Sequence, residues 1–151
     1  MTPGLDSYVS EEQALVIARA LLPSSSRARR AFEAMETEDR SACLLRAMMT
    51  LEGLRYTGHR TDPAQPLQFP RNGETDVPPR VMQAQVMEAC FTAGAGAEGE
   101  QRAALIAQGV KGFSLGSLSE SYGTAGAVAG AHSPEAALLL RPYLLGVAAF
   151  A

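Results

Sequence analysis

The side chains with most chemistry to offer lie between residues 55 and 71, where Arg55, Tyr56, His59, Arg60, Phe69 and Arg71 mix cations with aromatic rings. Such a mixture can stack bases and hold phosphates of single-stranded nucleic acid. Against that use stand a net charge of −3, a single lysine (Lys111) and the lack of a continuous basic stripe. Stacking would also need Tyr56 and Phe69 to face solvent, and burial over a core is the competing expectation. A second cationic group, Arg27, Arg29 and Arg30, is followed by Glu33, Glu36, Glu38 and Asp39, the pattern of a solvated, self-neutralising helix face. The abundance of Ala, Gly and Arg also fits a GC-rich coding bias.

Enzyme signatures are missing from the order of residues. The glycine-rich pieces are not followed by Gly-Lys, and Gly112, Gly116 and Gly123 do not form a dinucleotide-binding fingerprint. His59 and His132 fall in separate expected loops, and neither has metal-ligand spacing with Cys43 or Cys90. No arrangement of Ser, His and Asp points to a nucleophilic site. The expectation is a protein with no catalytic residues, metal or cofactor. Without a Cys-x-x-Cys motif, the two cysteines are expected as buried free thiols on apolar helix faces.

The elements that would position these residues are helical. Ser10 with Gln13 forms a capping box opening a first helix that runs to Leu22, where Pro23 ends it. Ser24, Ser25 and Ser26 form a turn and cap a short second helix with Phe32 and Met35. Thr37 is expected to cap a third, with Glu38 and Asp39 in its positive first turn. In that helix Leu44, Ala47, Met48, Leu51 and Leu54 recur at three- and four-residue steps, making its face the expected centre of the core, while Arg40, Arg46 and Glu52 stay wet. The stretch from Arg55 to Val77 shows no period. Loops beyond ~12–15 residues are uncommon in compact domains, and this one carries Tyr56, Leu67 and Phe69, so an ordered loop resting on its own core or on a neighbouring subunit is expected.

Pro78 and Pro79 open a further helix, with Met82, Val86, Ala89, Cys90 and Ala93 on one face. Met48, Met49, Met82 and Met87 are expected as core filler. Gly94 to Gly99 reads as a flexible break before a helical stretch from Glu100 to Gln108. From Val110 to Tyr122 the period changes to alternation about Gly116 and Ser117, predicting a two-residue hairpin with contacts from Lys111, Phe113, Leu115, Leu118 and Tyr122. A linker follows, and Ser133 caps Pro134 and Glu135 to open a last helix. The predicted architecture is mainly α: a single domain over residues 1–151, a small bundle of about five helices with a short β-hairpin near the C-terminal third.

A chain of 151 residues suits one domain able to bury ~70% of its unfolded surface. The first residues show no basic region followed by an apolar run, so synthesis in the cytoplasm is expected. The apolar C-terminal run is broken by Arg141 and Pro142 and is shorter than the ~20 residues of a membrane span.

Taken in order, SYVSEEQA, LLRAMMTLEGLRYTGHRTDPAQPLQFPR, VPPRVMQAQVMEA, VKGFSLGSLSESY and SPEAALLLRPYL resemble tailed-phage head-tail connector (adaptor) proteins, in the group often labelled putative DnaT-like single-stranded DNA-binding proteins. The resemblance spans nearly the whole chain. Its most specific pieces are the loop ending Gln68, Phe69, Pro70, Arg71, where an aromatic precedes Pro-Arg, and the segment from Leu115 to Tyr122. Gly112 and Ser117 depart from the group's usual small polar and acidic residues.

Such a resemblance implies a helical protomer that assembles with itself, as a dodecamer, into a ring in the virion neck. There it would bind the portal protein and a stopper or tail-completion protein, and duplex DNA would pass through the lumen without specific binding. In that reading the loop meets neighbouring subunits, and a tail with Arg141, Tyr143, Leu144, Leu145 and Phe150 docks on the portal. The plainer reading of the tail is that Leu145 and Phe150 close the protomer's own core. The alternative function, binding of single-stranded DNA by the same loop, predicts a cationic groove and steep salt dependence.

Overall fold

The computed structural model describes the backbone of residues 1–107 and 130–145, with side chains over 1–96 and 130–145. Among the described residues it contains five α-helices: α1 (Glu11–Leu21), α2 (Arg27–Ala34), α3 (Thr37–Glu52), α4 (Pro79–Ala107) and α5 (Pro134–Leu140), the last running into a 3-10 turn over Arg141–Tyr143. Extended pairing among these residues is limited to single bridges, Pro3 with Ser7, Tyr56 with Leu144 and Arg60 with Arg71. The hairpin expected over 110–122, with Lys111, Phe113, Leu115, Leu118 and Tyr122, lies outside the described residues.

Capping starts the helices where the polar residues require. Ser10 accepts from the Gln13 amide at 3.2 Å while the Gln13 side chain accepts from the Ser10 amide at 2.9 Å, closing the capping box. Ser26 accepts from Arg29 N and Ser133 from Ala136 N. The third helix departs from expectation: Thr37 is its first helical residue, and Glu36 occupies the cap without a side-chain bond. The Thr37 hydroxyl instead accepts from the Arg40 guanidinium at 3.5 Å.

The hub of the bundle is α4 rather than α3, because α1, α2, α3 and α5 all pack on it. Helix α3 contributes Leu44, Ala47, Met48 and Leu51, and α4 is buried continuously from Ala84 to Cys90. Over that stretch the helix is enclosed on all sides and shows no single apolar face, and its polar residues Gln85 and Glu88 are fully buried. Met49 is 74% exposed, so it is not core filler, whereas Met48 and Met87 are buried.

The expected break at Gly94 to Gly99 is not a break: α4 runs through it for 29 residues. At Gly94 the physical reason is close packing. A Cβ there would stand 3.2 Å from the Ala28 Cα, so the missing side chain lets α2 approach α4. The alanines around the glycines supply the helix propensity that the glycines lack. Cys90 is buried and Cys43 half-buried, and both are free thiols. Burial pushes the Cys90 thiol up to about 12 and raises that of Cys43.

Candidate functional site

The long loop leaves α3 at Gly53 and reaches α4 at Pro79. It is held by its own backbone: Asn72 N donates to His59 O at 2.8 Å and Thr61 N to Pro70 O at 3.1 Å, so the segments 59–61 and 70–72 run side by side. Gly58 allows that closure. It has φ +76, and a Cβ there would lie 1.8 Å from Asn72 Oδ1. At the tip, Asp62 and Gln65 cross-bond, and Gln65 Nε2 donates to the carbonyls of Leu67 and Pro70. The Phe69–Pro70 peptide is cis.

Phe69 points inward and is met edge-on by three tyrosine rings, Tyr56 at 4.8 Å, Tyr143 at 5.5 Å and Tyr8 at 6.1 Å between centroids. Edge contacts of this kind add to the stabilisation from ring burial. The Tyr56 hydroxyl donates to Leu51 O at 2.7 Å. Tyr8 donates to Glu52 and accepts from Phe69 N, while both Glu52 oxygens accept from Gln68 N. Burial, reinforced by the Glu52 carboxylate, raises the Tyr8 phenol far above its ordinary value, and burial raises Tyr56.

Arg71 is only 8% exposed. Its guanidinium donates to Thr57 O (3.1 Å), Gly58 O (2.8 Å), Gln68 O (3.2 Å) and Gln68 Oε1 (2.8 Å), and lies 5.8 Å from the Tyr56 ring centroid. Of the loop residues singled out by sequence, the structure therefore buries Tyr56, Phe69 and Arg71 as an internal tie and leaves Arg55, His59 and Arg60 exposed.

The C-terminal turn closes the same cluster. Thr57 N donates to Tyr143 O and Leu145 N to Arg55 O, both at 2.9 Å, around the antiparallel Tyr56–Leu144 bridge. Of the tail residues, Tyr143 and Leu144 are half-buried, Arg141 and Leu145 are exposed, and Phe150 lies outside the described residues.

Two buried polar ties were not singled out in the sequence. Gln85 accepts from Tyr8 N and donates to Ser7 Oγ and Leu44 O, stitching the N-terminal segment to α3 and α4. Glu88 accepts from the amides of His132 and Ser133 and sits 2.6 Å from His132 Nδ1, fixing the start of α5 to α4. The signal was present: a glutamine and a glutamate inside the otherwise apolar run VMQAQVMEAC must find buried partners. Arg40 and Glu52 are not wet either. Arg40 pairs with Glu11 at 2.7 Å and Glu52 serves the loop, whereas Arg46 is exposed.

Elsewhere Glu33 of the second helix engages arginines of α1 and α2. Glu33 lies 2.6 Å from Arg19 and 3.4 Å from Arg29, and the hydrogen bond from Arg19 holds its carboxyl below the usual range. Among the described residues no group of three or more His, Cys, Asp or Glu is placed to hold a metal ion, and no helix is long and apolar enough to cross a membrane.

Comparison with curated proteins and with solved structures returns no match. A family model described as "Putative DnaT-like ssDNA binding protein" matches residues 1–150, and with its arginine- and aromatic-bearing loop folded on a helical bundle the chain belongs to that family.

Proposed function

We propose that the chain works through its shape, as the protomer of a head-tail adaptor ring that sits below the portal in a tailed-phage neck and extends the DNA channel toward the stopper. The observation that carries this reading is the inward use of the loop. Tyr56 and Phe69 have their rings packed in the aromatic cluster, and Arg71 makes four hydrogen bonds within the loop. The aromatic-Pro-Arg signature thus fixes the loop against the protomer's own bundle and C-terminal turn. A conduit that lets duplex pass without gripping it also suits a net charge of −3.

Obligate ring interfaces commonly exceed ~2,000 Å², so assembly is measurable. Size-exclusion chromatography with light scattering, with and without portal protein, is expected to show a closed ring on the portal. A chain that stays monomeric in the presence of portal, or neck images lacking its density, would remove the proposal.

The family description favours a second reading, binding of single-stranded DNA. After burial of Arg71, that reading falls on Arg55 and Arg60, which are exposed. Fluorescence anisotropy with an oligothymidine at low salt tests it. Binding that weakens steeply with salt and with Arg55→Ala or Arg60→Ala supports this reading, and the absence of any complex eliminates it.

A further inference from the structure

We infer that the Glu88 carboxylate and the His132 imidazole form a proton-operated latch that sets whether α5 and the C-terminal turn stay docked on α4. Glu88 is fully buried. Both of its oxygens are occupied by donors from the segment that opens α5. Oε1 accepts from His132 N at 3.1 Å and stands 2.6 Å from His132 Nδ1, and Oε2 accepts from Ser133 N at 2.8 Å. A buried carboxylate needs such partners. Among the described residues they all come from this one segment, so the carboxylate is satisfied only while the segment is in place.

What the latch holds is the strap over 131–145. Ser133, Ala136 and Leu140 are its buried residues. Its far end is tied by Thr57 N to Tyr143 O and by Leu145 N to Arg55 O, with the Tyr143 ring 5.5 Å from that of Phe69. Helix α5 has seven residues, well short of the ~12–15 at which an isolated helix holds in water, so its order comes from docking. Phe32, Leu44, Leu51, Val81 and Val86, by contrast, are core that α2, α3 and α4 supply. A segment with few buried side chains on a well-packed bundle is the kind that opens by itself.

The charges around the latch make it sensitive to protons. His132 meets Glu88 directly, and Glu135 of α5 bonds the hydroxyl of Ser133, whose amide the same carboxylate holds. The partly buried charged groups of α1, α2 and α3 are engaged elsewhere, Glu11 with Arg40, Glu33 with Arg19 and Arg29, and Glu52 with the loop. The thiols of Cys43 and Cys90 stay protonated over the acid range. With Glu88 ionised and the imidazole neutral, Nδ1 donates as the N–H tautomer. A proton taken up by the imidazole leaves every donor in place and adds an ion pair. A second proton, on the carboxylate, removes the charge, and the new buried O–H faces three N–H donors and no acceptor. On acidification an imidazole protonates before a carboxylate, so docking first tightens and then fails. The latch is argued from this chain alone and goes beyond the ring reading.

Hydrogen exchange of the full chain, followed by mass spectrometry from about pH 7.5 to about pH 3.5, reads the strap and α4 separately when protection is taken relative to the intrinsic rate at each pH. Protection over 134–145 is expected to rise and then to be lost before that over 84–93. Glu88→Gln keeps the shape but sets an amide N–H against those donors. It should lower strap protection by ~tenfold or more already at neutral pH, with 84–93 still protected. His132→Ala should abolish the rise and keep the final loss. Four results overturn the latch: no rise in the parent, strap protection that persists until 84–93 opens, parent-like strap protection in Glu88→Gln, or a rise that survives in His132→Ala. Should Glu88→Gln fail to fold, the parent profile and His132→Ala decide between these outcomes.

Discussion

A single hydroxyl joins three parts of the chain at Tyr8. It donates to Glu52 at the end of α3 and accepts from Phe69 N in the loop, while the Tyr8 amide is bonded to Gln85 in α4. Tyr8→Phe keeps the ring and its edge contact with Phe69 but leaves a buried amide without its acceptor. Such an orphan costs ~1–3 kcal/mol. The urea midpoint should fall accordingly with an unchanged slope, and a variant as stable as the parent would show that Phe69 N finds another acceptor. Arg71 teaches the same lesson about function. Its type and position suggest an anion ligand, yet its guanidinium is held by hydrogen bonds to acceptors of its own loop.

Glycine acts differently at two neighbouring positions of α4. At Gly96 a Cβ would meet nothing within 4 Å, so Gly96→Ala should gain the ~0.5–1 kcal/mol by which alanine exceeds glycine in a helix. At Gly94 the same methyl meets the Ala28 backbone at 3.2 Å, so Gly94→Ala should lose most of that gain and Gly94→Leu should drive α2 away. Thermal melts of the three variants check the ordering. Equal gains at both positions would mean that α2 is not seated on α4 as described. These glycines also explain where sequence reading failed. Caps, prolines and apolar spacing located the starts of α1, α2, α4 and α5, because those signals are local. Gly94 was misread as punctuation because its cause, the approach of Ala28, lies in another helix. The inward fate of Tyr56 and Phe69 was anticipated from their apolar bodies. Burial of Arg71 was not, since it depends on carbonyls that face inward only once the loop has closed.

The aromatic cluster ties the N-terminal segment, the loop and the C-terminal turn into one unit, so its titration should report on the whole fold. Tyr8 and Tyr56 both have phenols raised from 10.0, chiefly by burial. Above that pH the unfolded chain releases protons that the folded chain retains. Stability from these groups is therefore complete below pH 10 and declines as pH rises beyond it, by ~1.4 kcal/mol per unit for each phenol. Cys90, raised from 9.0 to about 12, adds a decline of the same sign between those values. A domain of this kind holds only ~5–15 kcal/mol in total. Helical circular dichroism should thus be lost cooperatively at alkaline pH, in step with the tyrosinate absorbance of Tyr8 and Tyr56. Tyr56→Phe should make the loss with pH shallower. Full ionisation of both phenols near pH 10 with the helices intact would mean that the cluster is open to water and that the loop does not seal it.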